Sequence, residues 1–147
     1  GVILMIFRTL SVFTIKLDRP KLAKDAKTII RIFEILEEEG IPSECQAVNI
    51  DWLAITMREE YRSKMPEFLR KLVSEISEIN VSIGDVFTLL CIEGEALTSR
   101  MIGLIAGSLS LENIEVRMFR QIKGNEKLVI GLNTEDIDDA KDIIMGV

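Results

Sequence analysis

The residues that most often carry out catalysis or bind metals are scarce in this chain. Histidine is absent, and the two cysteines, Cys45 and Cys91, are isolated from each other in the sequence. Ser-His-Asp and Cys-His catalytic groups are therefore excluded, as are a CxxC redox pair and the usual zinc-ligand spacing. No GxGxxG or GxxxxGK[ST] loop is present to hold a phosphate group. Any catalysis would have to depend on carboxylates, lysines or a cofactor. We expect no catalytic residue, no bound metal and no cofactor in this chain.

Composition narrows the class of protein further. The 147 residues are 48% apolar, which is enough for a packed core, and carry a net charge of -6 with no basic block. A phosphate backbone is therefore a poor partner, and we expect no nucleic-acid binding. The longest apolar run, at residues 2–7, is far short of the roughly 20 residues that a membrane-spanning helix needs, and it lacks the flanks of a signal peptide. We expect no membrane partner and a cytoplasmic location.

Hydrophobic periodicity divides the first half of the chain into six elements. Strands are predicted at residues 11–17, 44–50, 51–57 and 78–84, where β-branched and aromatic residues dominate. The first helix has an apolar stripe formed by Ile29, Ile30, Phe33 and Leu36. The second, within residues 61–76, has Pro66 in its first turn and an apolar stripe formed by Phe68, Leu69, Leu72, Val73 and Ile76. The order strand, helix, strand, strand, helix, strand is typical of a ferredoxin-like unit.

The end of the first helix has a counterpart further along the chain. Gly40 suits the left-handed backbone conformation with which many helices end, and Pro42 biases Ile41 toward an extended conformation. In the stretch "IAGSLSLENIEVRMF", Asn113 and Ile114 stand where Gly40 and Ile41 stood. The chain is therefore expected to make the same sharp reversal twice.

The second half repeats the order of elements but stops one strand short. Strands at residues 86–92, 114–122 and 126–132 accompany a helix at 99–111 and a last helix at 134–147, for which Thr134 is the predicted N-cap. A surplus strand, at residues 2–10, precedes the first unit. We infer an α+β fold of two ferredoxin-like (βαββαβ) units, with residues 11–84 in the first and residues 1–10 plus 85–147 in the second.

This pattern, with its "DRP" loop and the helix "RIFEILEEEGI", resembles the tandem ACT domains at the C-terminal end of aspartate kinases. The resemblance covers the whole chain, and the N-terminal strand completing the second unit is its most specific feature. It implies a non-enzymatic regulatory module that binds an end-product amino acid, of the lysine or threonine class, and acts on a kinase domain or subunit. The sequence departs from the family pattern in both halves. In the first, Lys21 follows Pro20 where the family usually has glycine, and the loop to the helix is several residues longer. In the second, the glycine-rich loop is reduced to Gly94, and Arg117 stands where an acidic residue is common.

The resemblance also implies a ligand site in the first unit. Backbone N–H groups at a helix start can bind the carboxylate of an amino acid without a special side chain, and the loop from Asp18 leads to such a start at Asp25, Ala26 and Lys27. Glu44 is the implied acceptor for the ammonium group, and Asn49, next to Val48, matches a family asparagine. Glu44 could equally be an ordinary strand-edge carboxylate, and Asp18 a turn residue. Since Arg117 is equivalent to Glu44, we expect the second unit not to bind, and Glu44→Ala rather than Arg117→Ala to weaken binding.

Small residues on the third helix predict a close contact. Gly103, Ala106 and Gly107 lie in its interior, where each glycine costs roughly 1 kcal/mol relative to alanine. Either the helix packs tightly on its own sheet, or it contacts another unit or chain. Together with exposed sheet edges, this favours a homodimer. A scaffold that has lost its ligand stays open as an alternative function, while a small enzyme of the same fold is disfavoured.

Overall fold

The computed structural model describes residues 5–122, 124 and 126–147; residues 2–4 of the predicted N-terminal strand lie outside this part of the chain. The strands are β1 (Ile6–Asp18), β2 (Cys45–Val48), β3 (Trp52–Arg58), β4 (Asn80–Ile83), β5 (Phe87–Glu93), β6 (Val116–Ile122) and β7 (Lys127–Leu132). The α-helices are α1 (Ala26–Glu38), α2 (Met65–Glu75), α3 (Ser99–Leu111) and α4 (Ile137–Met145), with 3-10 turns at Leu22–Lys24, Glu59–Lys64 and Thr134–Asp136.

The unit Val12–Val86 is ferredoxin-like, as predicted. β1 pairs antiparallel with β3, from Val12↔Arg58 to Asp18↔Trp52, and with β4 on its other side, while β2 pairs with the far side of β3. The sheet order is therefore β4-β1-β3-β2. Side chains on one face of the sheet pack with α1 and α2 in a single core, which is formed by Phe13, Ile15, Leu17, Ile32, Ile35, Leu53, Ile55, Phe68 and Leu72 among others.

The other unit comprises Phe87–Val147 together with the residues before Val12. β5 lies between β7 and β1, and β6 pairs with the far side of β7, which gives the order β1-β5-β7-β6. Met5 and Phe7 pack against the core of this unit. The N-terminal strand thus completes the second ferredoxin-like unit, as the sequence predicts.

One difference from the prediction concerns β1 itself. The sequence predicts two separate strands meeting between Leu10 and Ser11, whereas the structure has one 13-residue strand without a break. Residues 15–18 of β1 pair with β3 on one side and with β4 on the other. The part of β1 that pairs with β5 therefore comes before residue 15. No glycine or proline interrupts residues 6–18, so nothing local ends the strand.

The repeated helix ending is confirmed in both copies. Gly40 has φ +67° and Asn113 has φ +56°, both in the left-handed region. The Ile41 N–H donates to the Leu36 carbonyl at 2.9 Å, and the Ile114 N–H donates to the Leu109 carbonyl at 3.0 Å. These are the 6→1 hydrogen bonds of a Schellman motif, which turns the chain sharply toward the next strand.

Two residues of the predicted helix faces are placed wrongly, and the predicted N-cap of the last helix is also wrong. Ile30 is 57% exposed and Val73 is 64% exposed, whereas Ile32 and Ile35 are buried in α1. Thr134 does not cap a helix: it lies in a 3-10 turn, and its hydroxyl is 2.9 Å from that of Thr88. A broad apolar helix surface allows more than one rotation, and only the position of the sheet decides which side is buried.

Candidate functional site

The connection between β1 and α1 is attached to the turn between β2 and β3. The Arg19 N–H donates to the Asp51 carbonyl, and the Ala23 N–H donates to the Ile50 carbonyl, each at 3.0 Å. The Lys21 N–H donates to Oδ1 of Asp51 at 2.8 Å. Three hydrogen bonds therefore hold the loop and the turn together at one end of the sheet.

Asp25 caps the start of α1. Its Oδ1 accepts the Thr28 N–H at 3.1 Å and its Oδ2 accepts the Thr28 hydroxyl at 2.7 Å. The guanidinium of Arg19 donates to the same carboxylate and to the Thr28 hydroxyl, at 3.2 Å for the latter. The hydrogen bonds from Thr28, followed by that from Arg19, hold the pKa of Asp25 below its ordinary value of 3.8. Asp25 is therefore an ionised structural cap.

Two backbone donors remain at this helix start. In an α-helix the first four N–H groups have no acceptor within the helix itself. Thr28 donates to the Asp25 side chain, and Ile29 donates to the Asp25 carbonyl at 3.1 Å. Among the described residues, the N–H groups of Ala26 and Lys27 have no hydrogen-bond acceptor outside the helix. They are thus the donors of the first turn that could bind an anion.

Three of the other predicted site residues lie at the same end of the sheet as this helix start. The Asn49 N–H donates to the Trp52 carbonyl at 2.9 Å, so Asn49 and the adjacent Val48 lie at the same end of the sheet. The Asn49 side chain turns back to accept the Ile50 N–H. Asp18 is also at this end, opposite Trp52, but its side chain points away from the helices because the neighbouring Leu17 points into the core.

Glu44 lies apart from this group within the unit, and its implied role as a ligand contact stays a prediction. Its N–H donates to the Thr56 carbonyl at 2.8 Å, and its carboxylate accepts a hydrogen bond from Nε of Arg58 at 2.7 Å. Thr56 lies four residues along β3 from Trp52, which is about 13 Å. Glu44 therefore lies at the opposite end of the sheet, where its hydrogen bond raises the pKa of Arg58.

The second unit has a different loop at the equivalent place. The Gly94 N–H donates to the Glu126 carbonyl at 3.1 Å, which corresponds to the bond from Arg19 to Asp51, so glycine stands where the first unit has arginine. Thr98 caps α3 by accepting the Met101 N–H at 3.2 Å. The two units thus differ in the loop before the helix start, where the first has Arg19 and the second has Gly94.

Arg117 packs on an aromatic ring and lies away from the start of α3. Its guanidinium carbon lies 4.3 Å from the centroid of the Phe87 ring, and Nη1 lies 3.5 Å from Oδ1 of Asn133. Val116, next to Arg117, pairs with Leu132, at the end of β7 away from the start of α3. Arg117 therefore cannot act on a ligand at that helix start.

Sequence reasoning missed three residues of the site: Arg19, Thr28 and Asp51. Arg19 was visible only as part of the "DRP" motif. The spacing Asp25-x-x-Thr28 is a recognisable capping signal, because the side chain of an N-cap residue accepts the N–H three residues later. Asp51 had no local signal, since its role depends on a loop thirty residues earlier in the chain.

Two kinds of feature are absent from the part of the chain that the structure describes. No group of three or more histidine, cysteine, aspartate or glutamate side chains could hold a metal ion. Over the same residues, no helix has both the length and the apolar character needed to cross a bilayer.

No protein-family model matches this sequence, and no curated protein matches it. Solved structures do. The aspartate kinase of Clostridium acetobutylicum is similar with a TM-score of 0.80 and 19% identity, over 95% of this chain and 33% of that one. The ligand-free regulatory subunit of aspartate kinase from Thermus thermophilus is similar with a TM-score of 0.78 and 14% identity, over 97% of this chain and 94% of that one. Escherichia coli aspartokinase III in complex with lysine and aspartate is similar with a TM-score of 0.69 and 16% identity, over 97% of this chain and 32% of that one.

These likenesses show that the chain has the fold of aspartate kinase regulatory regions, as the sequence resemblance predicts. It matches nearly the whole of the Thermus thermophilus regulatory subunit. By contrast, it spans about a third of the length of the two complete kinases.

Proposed function

We propose that this chain is an amino-acid-binding regulatory module of the aspartate kinase type, with its ligand site at the start of α1. The observation that carries the proposal is the pair of N–H groups of Ala26 and Lys27, beside the guanidinium of Arg19. The fold gives independent support, because the regulatory subunit of aspartate kinase from Thermus thermophilus has the same fold.

The proposed site binds both charged groups of a free amino acid. Ala26 and Lys27 donate to its carboxylate, in the positive field at the helix start. The ammonium group needs a nearby anion, and the proposed one is the Asp51 carboxylate, which the Lys21 N–H holds beside the loop. Asn49 offers its carboxamide from the same turn. Glu44 is too distant to contact the same ligand within one chain.

The proposed effector and partner come from the structural neighbours. Aspartokinase III of E. coli was solved with lysine and aspartate bound, and the likeness to this chain makes lysine the first effector to test, with threonine second. The proposed partner is an aspartate kinase catalytic domain or subunit, in the cytoplasm, whose activity the bound amino acid would change.

Calorimetric titration of the intact chain with lysine and with threonine tests the proposal. The variant Ala26→Pro removes one proposed donor while keeping the helix, because proline is favoured at the first helical position. Losing a hydrogen bond to a charged group costs about 1.5–3 kcal/mol, so affinity should fall about 10- to 100-fold. Ser99→Pro is the matched control, since Ser99 holds the same position in α3, and it should leave affinity unchanged.

A ligand-free interaction scaffold is the second candidate. Asp25 already occupies part of the helix start, and the carboxamide oxygen of Asn49 is engaged by its own chain. If neither amino acid releases heat or raises the melting temperature at millimolar concentration, the scaffold is the better description.

A further inference from the structure

A small cleft lies where α1 ends and the chain turns toward β2. Its volume is about 440 Å³, within the range of small-molecule sites, and it is lined by Phe33, Leu36, Glu37, Gly40, Ile41, Pro42 and Ser43. Leu36 and Ile41 are almost completely buried, at 2% and 3% exposure, whereas Phe33 and Pro42 are more accessible. The cleft therefore has an apolar lining that could hold a short hydrocarbon chain.

Glu37 is the charged residue of this cleft. It is exposed, and its carboxylate forms neither an ion pair nor a hydrogen bond with any of the described residues. The next two residues differ in this respect. Glu38 binds Arg31 at 2.8 Å, and Glu39 binds Lys71 at 2.6 Å. A cation entering the cleft would therefore meet a free carboxylate beside apolar surface.

The place of Glu37 at the end of α1 adds to the attraction for a cation. The last carbonyl groups of a helix have no partner within it and form the negative end of the helix dipole, which cations stabilise. α1 has no basic residue in its last turn. Lys64, from the segment before α2, donates to the Glu39 carbonyl at 2.9 Å. Because Lys64 does not line the cleft, the Glu37 carboxylate is left for a second cation.

The second unit lacks these features at the equivalent place. The left-handed residues Gly40 and Asn113 align the two helix ends. In this alignment three residues of the cleft change type: Phe33, Glu37 and Pro42 correspond to Ala106, Ser110 and Glu115. The aromatic ring, the helix carboxylate and the proline therefore have no counterpart there, and the second unit serves as an internal control.

We propose that the cleft at the end of α1 binds a primary aliphatic ammonium ion, with its hydrocarbon chain against the apolar residues and its ammonium group at the Glu37 carboxylate. Burial of the chain and the ion pair both contribute, as they do when a lysine side chain covers apolar surface and keeps its charge in water. Glu37 is eleven residues beyond Ala26, about 16 Å along the axis of α1, so this site is separate from the ligand site proposed above.

NMR titration of the intact chain with n-pentylammonium chloride tests the proposal. The backbone amide signals of residues 33–43 should shift, with a Kd in the millimolar range, while those of residues 106–116 should not. Pentanoate, which carries the opposite charge on a similar chain, should give no such shifts. n-Propylammonium should bind about 15-fold more weakly, because each buried methylene group contributes about fourfold to the affinity.

Substitutions of Glu37 test its part in binding. Glu37→Gln should raise the Kd of n-pentylammonium about 3- to 10-fold, because the charge that attracts the ammonium group is lost. Glu37→Lys should reverse the preference, so that pentanoate binds more tightly than n-pentylammonium. Folding is not at risk, since Glu37 is exposed and its carboxylate binds none of the described residues.

Glu112→Gln is the matched control. Glu112 is an exposed glutamate at the end of α3, and it too has no ion pair with any residue that the structure describes. Its substitution should leave the Kd of n-pentylammonium unchanged. Ala26→Pro, at the other end of α1, should also leave it unchanged, so the two proposed sites can fail independently.

A free alkylamine and a lysine side chain of another protein offer the same chemistry, and one further probe distinguishes them. Nα-acetyl-lysine N-methylamide presents the ammonium chain as it occurs within a protein. Tighter binding of this probe than of n-pentylammonium would assign the cleft to a lysine of a partner protein, and weaker binding would assign it to a free amine.

Four results would overturn the proposal. They are no shift at residues 33–43 even at about 100 mM n-pentylammonium, equal binding of pentanoate, an unchanged Kd in Glu37→Gln, and shifts spread equally over both units.

Discussion

The guanidinium of Arg19 binds the carboxylate of Asp25, and the same carboxylate caps α1 through Thr28. One anion thus fixes both the helix start and the arginine beside it. The loop is further tied to the β2–β3 turn through Asp51. The order of this region therefore depends on the charge of one partly buried residue.

The stability of the protein should show this dependence in acid. Because the folded-state pKa of Asp25 lies below its unfolded value, its ionised form stabilises the fold above about pH 4, and this contribution is lost as the pH falls through the folded-state pKa. Asp25→Asn should lower the melting temperature at pH 7 and narrow the difference from wild type near pH 2. Thermal unfolding followed by circular dichroism at both pH values measures this, and an unchanged difference would contradict it.

The left-handed residues that end α1 and α3 should respond in opposite directions. Gly40→Ala should destabilise the protein by about 1–2 kcal/mol, because a side chain is strained at φ +67°. Asn113→Gly should stabilise it by a few tenths of a kcal/mol, up to about 1 kcal/mol, since glycine relieves the same strain at φ +56°. Urea denaturation compares the two, and losses of equal size in both variants would refute the common motif.

The exposed and buried sides of α2 should separate clearly. Leu72→Ala should cost about 2–5 kcal/mol of unfolding free energy, because Leu72 is fully buried in the core. Val73→Ala should change it by no more than about 0.5 kcal/mol, since Val73 is largely exposed. The two variants serve as controls for each other in urea titrations. A large loss of unfolding free energy in Val73→Ala would instead support the apolar stripe that the sequence predicts.

The acceptor of the proposed ligand's ammonium group should be Asp51 and not Glu44. Asp51→Asn keeps an oxygen for the Lys21 N–H and removes the charge, so amino-acid affinity should fall roughly 10-fold or more. Glu44→Gln, at the other end of the sheet, should leave affinity unchanged, as should Arg117→Ala. Calorimetric titrations with lysine decide between them. A loss of affinity confined to Glu44→Gln would identify Glu44 as the acceptor, as the sequence resemblance implies.

Some features followed from the sequence because their causes are local. The left-handed helix ends at Gly40 and Asn113 depend on a few neighbouring residues, as does Pro66 in the first turn of α2. The order of the elements, with one spare strand at the start and one missing at the end, then implied that β1 completes the second unit.

The sequence "VFT" occurs at residues 12–14 in β1 and again at residues 86–88 at the start of β5, yet the two phenylalanines point to different faces of the sheet. Phe13 lies in the core beneath the helices, on the same face as Ile15 and Leu17. In β5 that face is formed by Leu90 and Ile92, so Phe87 points to the opposite one. A shift of one residue in register exchanges the two faces of a strand, and no short motif records that shift.

The sequence by itself determined the elements, their turns and their repeated order, because periodicity and capping act within a few residues of the chain. Only the tertiary structure decided which residues meet. Glu44 and Asn49 lie at the two ends of one short strand and so cannot share a ligand within one chain, whereas Lys21 and Asp51, thirty residues apart, are in hydrogen-bond contact. Such pairings depend on strand register and on which face is buried, and these are set by the packing of the whole unit.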